Sequence, residues 1–269
     1  MPATAVAGHV PGTPPWAVVG ALSCAFWFAL DWAATLVPAA RLRKLGLRRS
    51  GELFLPNLVH HVLVGLGALA VWAAEAAAEV GQPERSFRCL PPATGLAELL
   101  PQVSLGYSLH DLAQGLQRRQ ASFWLHGLLV SLFFALVCHL GVAHHTVRIL
   151  CANLSTAFLV LRRLDLGGLA NACVDAAFVA SFALLRLLLL PFWWLRFLRL
   201  GLAADPAGWG PCMHRGILAL ALLGGVALHA LNFYWFYHIC RRALAKLRGR
   251  EPMRAPAGAP KEDDPGRLR

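Results

Sequence analysis

The sequence predicts an all-α, polytopic membrane protein. It reads as a bundle of about seven transmembrane helices, with the N-terminus lumenal or outside and the C-terminus in the cytosol. Three observations carry that expectation. Hydrophobic residues make up 57% of the chain and charged ones only 14%, against roughly 25% charged in an ordinary soluble domain. Apolar runs of about 20 residues, the length that crosses a hydrocarbon core roughly 30 Å thick, recur from end to end. The 25 Lys and Arg residues sit in short clusters between those runs. A net charge of +11 could otherwise suggest nucleic acid, but no basic stripe on a soluble face exists to bind it.

The first run, Trp16–Val37, follows a short tail (residues 1–15) without a basic region, so it reads as a retained anchor. The second is Leu53–Ala76 and the third Leu96–Leu116, the latter interrupted by polar residues. The fourth is Phe123–Val142. The fifth, Thr146–Leu161, is again interrupted. The sixth spans Leu169–Trp194 and the seventh Ile217–Cys240. Pro56, Pro101 and Pro191 fall near span ends, where a missing backbone N–H costs least. Residues 16–242 thus form the membrane domain, with its core at 53–242. Residues 243–269, rich in Pro, Ala, Gly and charge, read as a disordered cytosolic tail.

The loop charges provide an independent test. Arg41, Arg43, Lys44, Arg48 and Arg49 follow the first run, Arg118 and Arg119 the third, Arg162 and Arg163 the fifth, and Arg241, Arg242, Lys246, Arg248 and Arg250 the seventh. The alternate loops are poorer in basic residues, and this bias sets the expected orientation.

Each ionisable side chain inside a span costs on the order of 2.5–3.5 kcal/mol on insertion scales and asks for a partner or a role. The polar residues of interest within the spans are His60 and His61, Tyr107, His110 and Asp111, His126, Asn153, Ser155 and Thr156, Asp175 and Arg186, and His229 and Asn232. At a rise of about 1.5 Å per residue, five helices bring polar groups into the cytosolic half of the bilayer, as if to line a cavity open to the cytosol. Arg186 falls outside that set, nearer the outer side. Hydrogen bonds that merely fix helix packing are the plainer reading of any one residue. His110 beside Asp111 stands apart, because an imidazole near a carboxylate is a usable general base. His144 and His145 read as an exposed pair in an outer loop. Gly65-Leu66-Gly67 and Gly224-Gly225 read as places where helices approach closely. Cys89 and Cys212 both fall in outer loops, where a disulfide and two free thiols fit equally. No spacing suits a metal, and no cofactor motif is present.

Four segments resemble the TLC-domain family, which includes the ceramide synthases and their non-synthase relatives. Leu58-Val59-His60-His61-Val62-Leu63-Val64-Gly65 is similar to the family's histidine-bearing second helix. Gly106-Tyr107-Ser108-Leu109-His110-Asp111 resembles its Gly-Tyr-then-Asp signature. Ala152-Asn153-Leu154-Ser155-Thr156-Ala157-Phe158 resembles Glu-x-Ser-Thr-Pro-Phe, and Leu231-Asn232-Phe233-Tyr234-Trp235 looks like the closing helix of the non-synthase branch. The departures are specific. Only His126 stands where synthases carry two adjacent histidines, Asn153 replaces the acidic residue, and Ala157 replaces the proline.

The resemblance implies a membrane of the secretory pathway, the endoplasmic reticulum above all, and membrane lipids as partners. Self-association into a homo-oligomer is a further expectation. Two functions follow. The first is lipid binding or regulation of lipid composition without acyl transfer. The second is an acyl-CoA-dependent N-acyltransferase of the ceramide synthase type, with His110, Asp111 and His126 as catalytic candidates and acyl-CoA as co-substrate. In either, His60, Tyr107, Asn153, Ser155, Thr156, Asp175, His229 and Asn232 would line the lipid or substrate cavity. A seven-helix receptor fits poorly, since the outer loops are short.

Overall fold

The computed structural model describes residues 15–37, 54–79, 94–119, 121–162, 164, 166–203 and 215–247. Helices α1 (Pro15–Thr35), α2 (Phe54–Glu79), α3 (Leu96–Gln117) and α4 (Ala121–His139) come first. A 3-10 turn (Ala143–Thr146) then leads into α5 (Val147–Leu150) and α6 (Asn153–Leu161). Helix α7 (Gly168–Phe182) continues through a π-helical segment (Ala183–Leu189) into α8 (Leu190–Ala203), and α9 (Arg215–Leu247) closes the chain. Counting α5 with α6, and α7 with α8, these make seven rods. No strand occurs among the described residues.

Four rods are long and apolar enough to cross a membrane: Pro15–Thr35, Leu55–Ala77, Gly168–Arg199 and Leu218–Ala245. Trp124–His139 is apolar but shorter. Exposed Leu63, Leu66, Leu129, Leu132, Leu188 and Leu223 give these helices an apolar outer surface. Such a coat suits hydrocarbon, not water.

Helix α3 is too polar to qualify by hydropathy, and the reason lies in its position. It packs against α1, α4 and α2, and Ser104, Tyr107, Ser108, His110 and Gln114 are all buried along it. These five polar groups face protein and not lipid. Gly106 lets α1 in. A Cβ there would lie 2.5 Å from the Gly20 carbonyl oxygen and 2.6 Å from the Cys24 amide. Gly127 on α4 approaches the backbone of Leu112 on α3 in the same way, at 2.6 Å. Gly65 on α2 faces Leu154 on α6 at 2.7 Å. Gly225 on α9 rests against the Trp194 indole, whereas Gly224 meets nothing.

The fifth expected span is not one helix. Around Cys151 the chain tightens to i→i+3 bonds: Ala152 N–H donates to Ile149 O (3.1 Å) and Ser155 N–H to Ala152 O (3.2 Å). The sixth expected span runs on past Trp194 to Ala203, so Pro191 lies inside a rod and not near its end. Proline has no N–H and its ring pushes on the carbonyl four residues back. Wider i→i+5 bonding precedes it, as in Leu190 N–H to Leu185 O. The π segment absorbs the defect.

The apolar core, with Val64, Ala68, Val71, Leu100, Phe134, Val137, Val147 and Leu150, fills one end of the bundle. The buried polar groups gather toward the other.

Candidate functional site: two polar clusters in the bundle

The first cluster lies between α1, α2 and α3. The His60 ring stacks on the Tyr107 ring (centroids 3.7 Å apart, planes 6° apart), and the Trp27 indole meets both edge-on. The Tyr107 hydroxyl donates to Asn57 Oδ1. One turn on, His110 is completely buried. Its Nε2 lies 3.8 Å from Asp31 Oδ2 and its Nδ1 3.9 Å from Asp111 Oδ1, beyond hydrogen-bond length. Neither ring nitrogen has a hydrogen-bond partner. Phe28 closes over the ring at 4.8 Å. Asp31 Oδ2 accepts from Gln114 Nε2 at 2.9 Å.

The second cluster is built around Arg186, at the middle of the π segment. Its Nε donates to Ser155 Oγ (2.8 Å), one terminal nitrogen to Thr156 Oγ1 (2.8 Å) and the Ala152 carbonyl (3.3 Å), and the other to Asn232 Oδ1 (3.3 Å). The break before α6 makes this possible. It turns the Ala152 carbonyl so that it also accepts from Ser155 Oγ at 2.7 Å. His61 Nδ1 meets Asn153 Oδ1 at 2.8 Å beside this hub. His126 is exposed, within electrostatic reach of both Arg186 and His61. His61, Asn153, Thr156 and Arg186 are each partly accessible. Helix α4, which carries His126, and helix α9, which carries Asn232, have no substantial mutual packing.

Arg186 is therefore the hub of the interior and not an outlier near the outer side. Counting rise along the helix places its Cα, but helical side chains lean toward the helix N-terminus. The guanidinium consequently lies closer to the start of α7 than its sequence position suggests. All four of its acceptors are neutral, and no carboxylate lies within ion-pair distance among the described residues.

The remaining candidates separate. Asp175 leaves the interior altogether, since Arg162 Nε donates to its Oδ1 at 2.5 Å at the surface end of α6 and α7. His229 is buried against Trp194 (5.0 Å between centroids) with both ring nitrogens unpartnered. Cys89 and Cys212 lie outside the described residues. No group of three or more His, Cys, Asp or Glu suited to a metal occurs among the described residues. Asp31 and Asn57 were not singled out from the sequence. Asp31 is the sole acid in the first apolar run, and an intramembrane carboxylate is signal enough.

A family model described as TLC domain matches residues 56–241. The chain belongs to the TLC-domain family. The matched region begins at the foot of α2, ends at the basic tip of α9, and contains both polar clusters apart from Asp31 and Trp27 on α1. No curated protein and no solved structure matches the chain. With four rods able to cross a bilayer, this TLC protein is an integral membrane protein.

At the opposite end of the TLC bundle, His144 and His145 are half-buried and not exposed, their rings 4.0 Å apart. Neither Nε2 has a partner. Burial, the neighbouring His144 ring and Arg148 push the His145 imidazole down to about 3. Burial also lowers His144, with Glu98 and Glu75 opposing.

Proposed function

We propose that this TLC protein binds a membrane lipid and so influences lipid composition, without transferring an acyl group. One observation carries the reading: the two histidines a transfer scheme needs do not share a site. His110 is enclosed among α1, α2 and α3 with zero exposure, whereas His126 is exposed on α4, within electrostatic reach of His61 and Arg186. A general base must come within about 2.6–3.2 Å of the proton it removes, and no substrate reaches His110 without parting those helices. The Arg186 cluster, by contrast, offers partly accessible polar groups within an apolar surface, as a headgroup binder requires. The family and the apolar coat support membrane lipids as partners. The family supports the endoplasmic reticulum as the compartment, and the Lys and Arg bias of the loops supports the cytosol as the side on which α7 begins.

The test is lipid profiling of cells that lack the protein and are complemented with variants. His110→Ala and His126→Ala, expressed at wild-type level, restore the wild-type lipid profile. Loss of the profile in both, with folded protein present, contradicts the proposal. The second reading, acyl-CoA-dependent N-acylation with acyl-CoA as co-substrate, keeps one favourable observation: His126 is accessible and has His61 nearby.

A further inference from the structure

A census of hydrogen-bond donors around Arg186 shows what is missing from the second cluster. The guanidinium carries five N–H groups, of which the bonds to Ser155, Thr156, Ala152 and Asn232 use four. The fifth, on the nitrogen facing Asn232, has no acceptor among the described residues. Asn232 is fully buried, and its Nδ2 has no partner either. Its amide cannot be turned over to cure this, because Nδ2 would then face an Arg186 donor. His229, one turn earlier on the same face of α9, is buried with both nitrogens unpartnered. The site therefore combines one uncompensated positive charge with unsatisfied donors on two helices. A set of that kind requires an acceptor that carries negative charge.

The surroundings indicate where such an acceptor comes from. Thr156 and Arg186 are partly accessible, so protein does not seal the site completely. Along α9 only 6% of the membrane-crossing window is buried, the least of the four long rods. This helix packs on α8 and the π segment alone to any extent, so it is the wall that yields most easily. Exposed Leu222, Leu223 and Val226 on α9, with Leu184 and Leu188 on the π segment, carry hydrocarbon to its edge.

We propose that Arg186, Asn232 and His229 form a binding site for the oxyanion of a single-chain or double-chain lipid, a carboxylate or a phosphate, entering sideways past α9. The proposal rests on the lipid-binding reading above and names the headgroup chemistry. The lipid's oxyanion supplies the counter-charge that no described residue provides.

The test uses full-length protein in uncharged detergent and four labelled ligands. Oleate is paired with oleyl alcohol, and oleoyl lysophosphatidate with monooleoylglycerol, so each pair differs only in the oxyanion. At least one anion is expected to bind ten-fold or more tightly than its uncharged counterpart. Preference for oleate alone assigns a carboxylate, and preference for lysophosphatidate alone a phosphate. Arg186→Gln should remove the preference. Asn232→Asp, which places a carboxylate against the guanidinium with almost no change of shape, should also remove it while leaving thermal stability unchanged or higher. It keeps the test decisive if Arg186→Gln fails to fold. Equal binding of charged and uncharged ligands overturns the oxyanion site and leaves lipid binding standing. A preference that survives Asn232→Asp overturns it too. Failure of all four ligands to bind overturns both readings.

Discussion

Arg186 shows how one side chain can reorganise the reading of a membrane protein. Its guanidinium joins α6, the π segment and α9 through four hydrogen bonds to neutral groups. Lysine at this position keeps the charge but loses the planar fork, so no more than three of these bonds can re-form. Arg186→Lys is expected to lower stability by about 1–3 kcal/mol, the range for leaving buried partners unsatisfied, seen as a lower thermal midpoint in detergent. His110 predicts the opposite behaviour. Because neither ring nitrogen is hydrogen-bonded, His110→Leu is expected to fold with unchanged or higher thermal stability and to keep the lipid phenotype. The polar residues themselves were legible in the sequence, since any ionisable group in an apolar run stands out. Their partners were not. Spacing within a helix says which face a residue occupies, but it cannot say that Asn153 meets His61 from another helix or that Asp175 turns outward to Arg162.

Among the helices, the fifth expected span, broken at Cys151, and the α7–π–α8 rod depart most from sequence expectation, each for a local physical reason. Hydropathy underrates α3 because it measures affinity for lipid, and the polar residues that lower it, from Ser104 to Gln114, are buried against protein. The π segment was invisible because Pro191 can be accommodated at a helix end or by wider bonding before it, and only tertiary packing decides. Glycine pairs were read correctly as approach points at Gly65 and Gly225, while Gly224 is open. That contrast yields a paired prediction. Gly106→Ala forces α1 and α3 apart and is expected to cost about 1–3 kcal/mol, as overpacking does. Gly224→Ala meets nothing and should stabilise α9 by roughly 0.5–1 kcal/mol through helix propensity. Thermal unfolding of both variants in one detergent checks the signs. Similar destabilisation by the two would contradict the packing described.

For the whole molecule, the division of labour runs along the bundle axis. One end is an apolar core capped by the His144–His145 pair, and the other holds the polar clusters. The buried pair makes stability depend on pH with a definite sign. Its folded-state pKa values lie below the ordinary value of about 6.5, so the unfolded chain takes up protons first. Stability from this source is complete above about pH 6.5 and falls on acidification, for His145 down to about pH 3, by at most about 1.4 kcal/mol per pH unit for each histidine. His144→Phe with His145→Phe should flatten the thermal midpoint between pH 7 and pH 5, and an unchanged slope would contradict this assignment. Fold class was legible because bilayer thickness fixes run length. Function was legible only to the family, since binding and transfer differ in which side chains a lipid can reach.

The most direct test of the central claim is an amide-forming assay. Purified full-length protein is given a sphingoid base and a labelled long-chain acyl-CoA, with His126→Ala as control. The account predicts no labelled amide from either protein, while lipid co-purifies with the folded wild type. Amide formed by the wild type and lost in His126→Ala would contradict it, and would make one exposed histidine sufficient for acyl transfer.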